Sequence, residues 1–466
     1  MKSLFRKKNA NFVQEFHKHT KLNKNLGLVD LLCMGLGAVI GTGIFVLTGI
    51  NAAVVAGPAI IISFFISGLA CIFVALVYTE VASSLPSSGG AYTYTYVAFG
   101  ELPAWLVGWC AIMQLGFCST TVASGWSGYF IGILDQLNIS LPLVLINTPF
   151  EGGFMDFPAF LICIILTAIV YRGVHQSSFV NILLVCIKIG AIIFFLVMSS
   201  GYFDIKNWGS NSNEFMPFGF KGVTLAAGAL FLSYTGFDVV ANAAEESKNP
   251  ERDVTIGLIG SIIVSMILYI LVAAFLTGMI DYHSLNTKEP LAYGLKVKGS
   301  YVSGTLVAIG GIIGMTTVIL VQIYGLSRIM MAMARDGLMP AFFNKIHKKH
   351  ATPYIGTTVL GLGMAVISAL VPVRVMGELA SLGTLSVLII VTMSAIKLRK
   401  SHADLRRPFK CPYFALVTPI ALLLCGYLAI NLLFSIGLIF VCYIALGLLV
   451  YFFYSKKRID SINASL

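Results

Sequence analysis

The chain has 466 residues, 58% of them hydrophobic and only 11% charged, with a mean hydropathy of +0.89. A water-soluble domain of this length needs far more charge, so the composition excludes one and points to a membrane as solvent. The net charge of +11 is spread over alternate loops and the two ends. That reads as a topology signal and argues against nucleic acid as a partner.

A basic polar arm over residues 1–28 precedes the first apolar run, and no cleavable signal peptide is visible in it. Apolar runs of about 20 residues then recur at 29–51, 57–83, 99–130, 157–171, 179–200, 222–244, 254–280, 302–332, 354–371, 376–397, 413–431 and 434–454. They predict an all-α membrane protein with 12 transmembrane helices. The ten-residue alternation of a membrane barrel is absent. The third and eighth runs are long enough to tilt or to extend beyond the lipid. A polar tail covers 455–466, and no soluble domain interrupts the series.

The Lys and Arg residues set the orientation. With the N-terminus inside, the inner segments hold seven in the arm, Arg172, then Lys248 and Arg252. Five more lie between runs eight and nine (Arg328 and Arg335 among them), six between runs ten and eleven, and three in the tail. The outer segments hold Lys206, Lys221, Lys288, Lys296, Lys298 and Arg374. Twenty-four against six predicts that both termini are cytoplasmic.

Two runs carry interruptions. The first contains AVIGTGIFVL (38–47), and the sixth contains Ser233-Tyr-Thr-Gly-Phe-Asp238. Gly costs a helix roughly 1 kcal/mol relative to Ala, and an unpaired amide in lipid costs several more. A break is tolerated only where it faces protein or a watery cavity. There, freed carbonyls can hold an ammonium, and amides at a half-helix N-terminus can hold a carboxylate. A free amino acid carries both charges a few ångströms apart. Close helix packing is the alternative for Gly41 and Gly43. It accounts for Gly35, Gly37 and Gly41, but not for the Thr42 hydroxyl.

Asp238 is an acid at membrane depth, which marks either a binding group or an N-cap for the second half-helix. Tyr234 and Phe237 either gate the cavity or pack. Five runs separate the two breaks, so the second would enter the membrane inverted. Paired interruptions of that kind point to an inverted-repeat transporter.

Lys188 stands half-way along the fifth run, about 10 Å or more from either end and beyond easy snorkelling. An ammonium there must meet carbonyls, meet an acid, or give up its proton. It could therefore carry a proton in step with substrate, act as a fixed cation in place of a sodium ion, or serve a structural pairing.

These features have company: GLGAVIGTGIFVLTG (35–49), AGPA (56–59), YTEVASSLPSSGGAYTYTYVAFGE (78–101), VASGWSGY (122–129), SYTGFDVVANAAEESKNPERDVTIG (233–257) and RIMMAMARDGLMP (328–340). Over essentially its whole length the chain resembles the amino acid–polyamine–organocation (APC) superfamily. Within it, the chain looks most like bacterial members of the cationic amino acid transporter (CAT) family.

The resemblance implies the fold of the leucine transporter. That is a 5+5 inverted repeat, 29–200 and 222–397, with two additional C-terminal helices at 413–454. It implies a secondary amino acid permease working by alternating access in the cytoplasmic membrane, without a cofactor. The substrate carboxylate would meet amides at Thr42, Gly43 and Ile44, around Gly41. Its ammonium would meet carbonyls near Ile40, Leu232, Tyr234 and Thr235, with Phe237 and Asp238 beside them. The resemblance makes Lys188 the proton-coupling residue.

One departure stands out. Relatives often carry an acid in the third span where this chain has Gln114, and Gln322 stands where relatives tune pocket depth. Two glutamines favour a neutral or polar substrate side chain, although Asp238 could serve a cationic one.

The loop residues Glu245, Glu246, Glu251, Asp253, Lys248 and Arg252 read either as surface charge or as cytoplasmic gates, and Glu80 and Glu101 read similarly. His347 and His350 have no further ligands, so no metal site is expected. The nine cysteines include Cys33, Cys71, Cys110, Cys163, Cys186, Cys425 and Cys442 within apolar runs; none has metal-ligand spacing, so they read as packing residues. A membrane enzyme would need a nucleophile, metal set or acid pair at depth, and none is found. A channel would want pore-lining charges or a filter sequence. An exchanger, a cationic amino acid uniporter and a non-transporting sensor remain as alternatives.

Overall fold

The computed structural model describes residues 6–8, 26–85, 87, 89–173, 178–209, 212–238, 240, 248–347 and 352–458, without the side chains of 178–181, 212, 213, 250 and 251. Glu245, Glu246, His350 and the Glu251 side chain therefore lie outside the description. Among the described residues the chain is helical, without strands.

The main helices are α1 (Leu28–Val39), α2 (Ile60–Ser84), α3 (Glu101–Gln136), α4 (Phe157–Arg172), α5 (Ser178–Ser200), α6 (Gly219–Leu230), α7 (Thr255–Met279), α8 (Tyr301–Arg335), α9 (Tyr354–Leu370), α10 (Val373–Ser401) and α11 (Phe414–Val450). Seven described segments are long and apolar enough to cross a membrane, and α1, α4 and α9 are shorter apolar helices. Large apolar side chains such as Phe434 (82% exposed) and Leu438 (80%) point outward, as they do where the surrounding solvent is lipid. The interior mixes large side chains such as Trp105, Tyr129 and Phe64 with small and hydroxylated residues that let backbones approach.

Four pairs of segments five apart in the chain lie against each other and run antiparallel. In α2 and α7, Phe64 meets Tyr269 and Gly68 meets Met266. Between α3 and α8, Gly108 faces Met333 and Trp126 faces Thr316. Between α4 and α9, Thr167 faces Gly361, and Ala159 accepts from Ser368. The broken first and sixth segments pair the same way, Ala38 with Gly236 and Gly43 with Ser233.

Ion pairs pin both ends of the bundle. At the end carrying most of the basic residues, buried Glu80 of α2 accepts from Arg399 of α10 at 2.7 and 2.5 Å and from the Cys411 amide at 2.7 Å. Also at this end, Asp336 accepts from both Lys8 (2.6 Å) and Tyr92 (2.7 Å). At the opposite end buried Asp156 accepts from Ser127 (2.5 Å) and Lys288 (2.8 Å), and Lys296 pairs with Glu289 at 2.9 Å.

Two sequence expectations shift. The third span extends on to Gln136. The last two runs abut without an intervening loop, so that helical residues follow one another from Phe414 to Val450, together α11. Its contacts nevertheless reverse direction. Phe414 lies under the Arg399 guanidinium, Ser435 donates to Glu378 some 21 residues and about 32 Å away along α10, and Tyr451 returns to Glu101 beside the basic end. A straight helix could not touch all three, so the segment doubles back near Ser435.

Candidate functional site

The first break falls at Ile40. Helix α1 ends at Val39, Ile40 takes extended backbone (φ −75°, ψ 104°), and helical geometry resumes at Thr42 before a wide π turn over Gly43–Leu47. Two weak helix formers flanking Thr42 explain the position. The carbonyls at the end of α1 lose their i+4 partners, and the amides at the start of the next half-helix lie in its unpaired first turn.

The second break mirrors it. Helix α6 tightens into a single 3₁₀ turn over Phe231–Tyr234, Thr235 is extended (φ −66°, ψ 139°), and Gly236 sits at φ +114°. Only glycine adopts that conformation without strain.

The two breaks abut. A Cβ on Gly43 would fall 2.2 Å from the Ser233 hydroxyl oxygen and 2.7 Å from its Cα, and one on Gly236 would fall 2.9 Å from the Ala38 carbonyl. These positions are closed to larger side chains.

What fills the freed valences is specific. Lys188 is fully buried, its stem against Gly314 of α8, and its ammonium donates to the Gly37 carbonyl at 2.6 Å and the Ile40 carbonyl at 3.4 Å. Tyr269 of α7 places its hydroxyl 2.9 Å from both the Val39 and the Ser233 carbonyl oxygens, one from each break. Ser381 of α10 accepts from the Leu232 amide (3.1 Å) and donates to Ala229 (2.7 Å), while Thr384 lies 3.3 Å from the Thr235 hydroxyl. Tyr269, Ser381 and Thr384 went unremarked in the sequence. Their only signal was a hydroxyl at mid-span, which is common and weak.

The Thr42 and Ser233 hydroxyls are buried without a partner among the described residues. So are those of Ser119 and Ser124, the latter next to Gly125, against which Thr42 packs. Unsatisfied buried hydroxyls cost free energy, so a polar ligand here would gain what they lack.

The remaining expected residues fall in different places. Ile44 is fully buried in the π turn, and Gly41 abuts Val318 of α8. One turn along α8 from Val318, Gln322 donates to the Cys118 sulfur at 3.4 Å. Gln114 lies roughly 16 Å along α3 from Gly125, with its backbone against Gly383, and so reaches the Thr235–Thr384 side. Tyr234 is fully buried, donates to the Phe64 carbonyl and packs at a tilt against Tyr269. It holds α6 to α2. Phe237 meets the Tyr78 ring edge-on at 5.7 Å, and Asp238 beside it is half-buried.

Comparison with known proteins gives a consistent picture. Residues 26–459 match the family model described as amino acid permease. The chain is 40% identical over 460 residues to a methylthioribose transporter of Bacillus subtilis (strain 168), covering 98% of this chain and 99% of that one. It is 41% identical over 462 residues to the branched-chain amino acid permease BcaP of the same strain, covering 98% of each. Similarity extends to cationic amino acid transporter 4 of Mus musculus, 34% identical over 395 residues, 84% of this chain and 62% of that protein.

Proposed function

We propose that this chain, which belongs to the amino acid permease family, is a proton-coupled carrier of free amino acids in the cytoplasmic membrane. The observation that carries the reading is the meeting of two unwound segments deep in the bundle, with Tyr269 bridging their carbonyls and Lys188 on one of them. First-turn amides at Thr42, Gly43 and Ile44 match a carboxylate. Carbonyls around Ile40, Leu232, Tyr234 and Thr235 match an ammonium. Both recognise the part common to all amino acids and leave the side chain to other residues.

The antiparallel pairing of helices five apart supports a 5+5 inverted repeat within twelve spans, the last two formed by the arms of α11. Both termini are then cytoplasmic, with Lys8, Asp336 and Arg399 on the inner face. Alternating access is a rocking of the broken helices and their partners α2 and α7 against α3, α4, α8 and α9. Lys188 of α5 links the two parts. Charged, its ammonium clamps the α1 carbonyls of Gly37 and Ile40. Loss of the proton weakens that clamp, which ties proton movement to the motion of α1.

Gln114 favours a neutral substrate side chain, because a cationic one would be buried without a partner at a cost of several kcal/mol. The name of the branched-chain permease agrees. A second reading takes the methylthioribose transporter as the guide, since its identity is nearly equal. Purified protein in liposomes decides between them. Saturable uptake of a labelled neutral amino acid, driven by an inward proton gradient and unaffected by excess methylthioribose, supports the carrier proposed here. Uptake of methylthioribose alone supports the second reading.

A further inference from the structure

At the basic end, a side-opening cavity of about 630 Å³ lies between α3, the end of α8 with the segment after it, and the last turn of α11 with the turn that follows. Its walls are entirely apolar and include Trp109, Met330, Phe343, Leu449, Phe453 and Tyr454. Leu449 and Phe453 are more than half exposed, so the groove opens toward the surrounding lipid.

Two of those wall residues carry cations directly above them. Lys457 Nζ lies 5.9 Å from the Phe453 ring centroid, and the Arg458 guanidinium lies 5.9 Å from that of Tyr454. Arg458 is held there by bonds to the Met339 carbonyl and the Tyr454 hydroxyl, each 2.8 Å. Ser455 donates to the Leu338 carbonyl at 2.6 Å, fixing the same turn. The cations are thus positioned at the rim.

We infer that this groove is a binding site for one anionic phospholipid of the cytoplasmic leaflet, with an acyl chain against Trp109 and Phe343 and its phosphate at Lys457 and Arg458. Charge complementarity selects this occupant. A zwitterionic lipid gains the apolar contacts alone, whereas an anionic headgroup also gains about a fivefold preference per basic residue at a membrane surface. The site is separate from the helix breaks, and the inference rests only on the membrane orientation proposed above.

Trp109 is the reporter. The full-length protein carrying Trp105→Phe, Trp126→Phe and Trp208→Phe, which leaves Trp109 as the one tryptophan of four, is placed in bilayers containing brominated phosphatidylglycerol or brominated phosphatidylcholine. Quenching by the phosphatidylglycerol should occur at roughly 25-fold lower mole fraction, and Lys457→Gln with Arg458→Gln, or high salt, should abolish the difference. Mass spectrometry of lipid retained on purified wild type and on K457Q gives an answer independent of the tryptophan changes. Phosphatidylglycerol enriched on wild type and reduced on K457Q supports the site. Equal quenching by both lipids would mean ordinary lipid contact. Quenching by neither would mean that the groove is covered by the chain's own residues 459–466 or by another protein. Either outcome overturns the inference.

Discussion

The Lys188 ammonium lies 2.6 Å from the carbonyl oxygen of Gly37, a group that lost its helical partner because α1 ends two residues later. A cation buried in the bilayer and a carbonyl orphaned by a helix break are each costly alone, and here each satisfies the other. The proposed coupling follows from that mutual dependence. Lys188→Ala should retain binding and exchange of substrate but lose accumulation against a gradient, so that the internal-to-external ratio falls to about one. Uptake by the variant in liposomes with an imposed pH gradient checks this, and wild-type accumulation would remove Lys188 from the mechanism.

Tyr269 holds the two breaks together through a single hydroxyl. Tyr269→Phe keeps the ring packing on Phe64 and Tyr234 and removes only the bridge. The one donor proton shared between two buried carbonyls is then lost, at a cost of about 1–3 kcal/mol. Substrate affinity should drop roughly tenfold or more with expression and monodispersity unchanged, measured by ligand-induced thermal shift.

Gly43 offers the sharpest steric test. Even a methyl group would collide with Ser233, backbone included. Gly43→Ala should weaken binding strongly, and Gly43→Val should abolish it by forcing the half-helices apart. Undiminished affinity in scintillation proximity binding with Gly43→Val would contradict a site at the break.

The opposite end predicts a pH effect. Burial pushes the Asp156 carboxyl above its ordinary value, with Lys288 and Ser127 offsetting part of the rise. Burial does the same to Glu289, against Lys296. Groups whose folded pKa is raised bind protons more tightly in the folded state, so stability falls as pH rises through those values. The melting temperature of the wild type relative to Asp156→Asn should therefore improve as pH drops toward the ordinary aspartate value of about 4. Lys288→Met should be destabilising at neutral pH, because it strands a buried carboxylate, and Asp156→Asn should rescue it.

Much of this architecture could be read from residues alone, for a physical reason. In an apolar run any glycine pair, acid or lysine is expensive, so AVIGTGIFVL, Asp238 and Lys188 stand out without a structure. Both expected interruptions coincide with extended backbone, at Ile40 and Thr235. Hydroxyls are cheap in a helix, because they bond their own carbonyls four residues back. Tyr269, Ser381 and Thr384 therefore resembled ordinary span residues until their partners on other helices were seen. The two arms of α11 were legible as two apolar runs, but not that they abut without a loop, since the Asn431 and Ser435 that part the runs are both compatible with helix.

The central claim is that two helix breaks capture both charges of one small zwitterion. Competition for labelled substrate tests it most directly, using leucine, its amine analogue without the carboxylate, and its acid analogue without the ammonium. Each missing charge leaves buried backbone groups unpaired, so both analogues should compete about 100-fold more weakly than leucine. Competition by either analogue as strong as that of leucine itself would contradict the account.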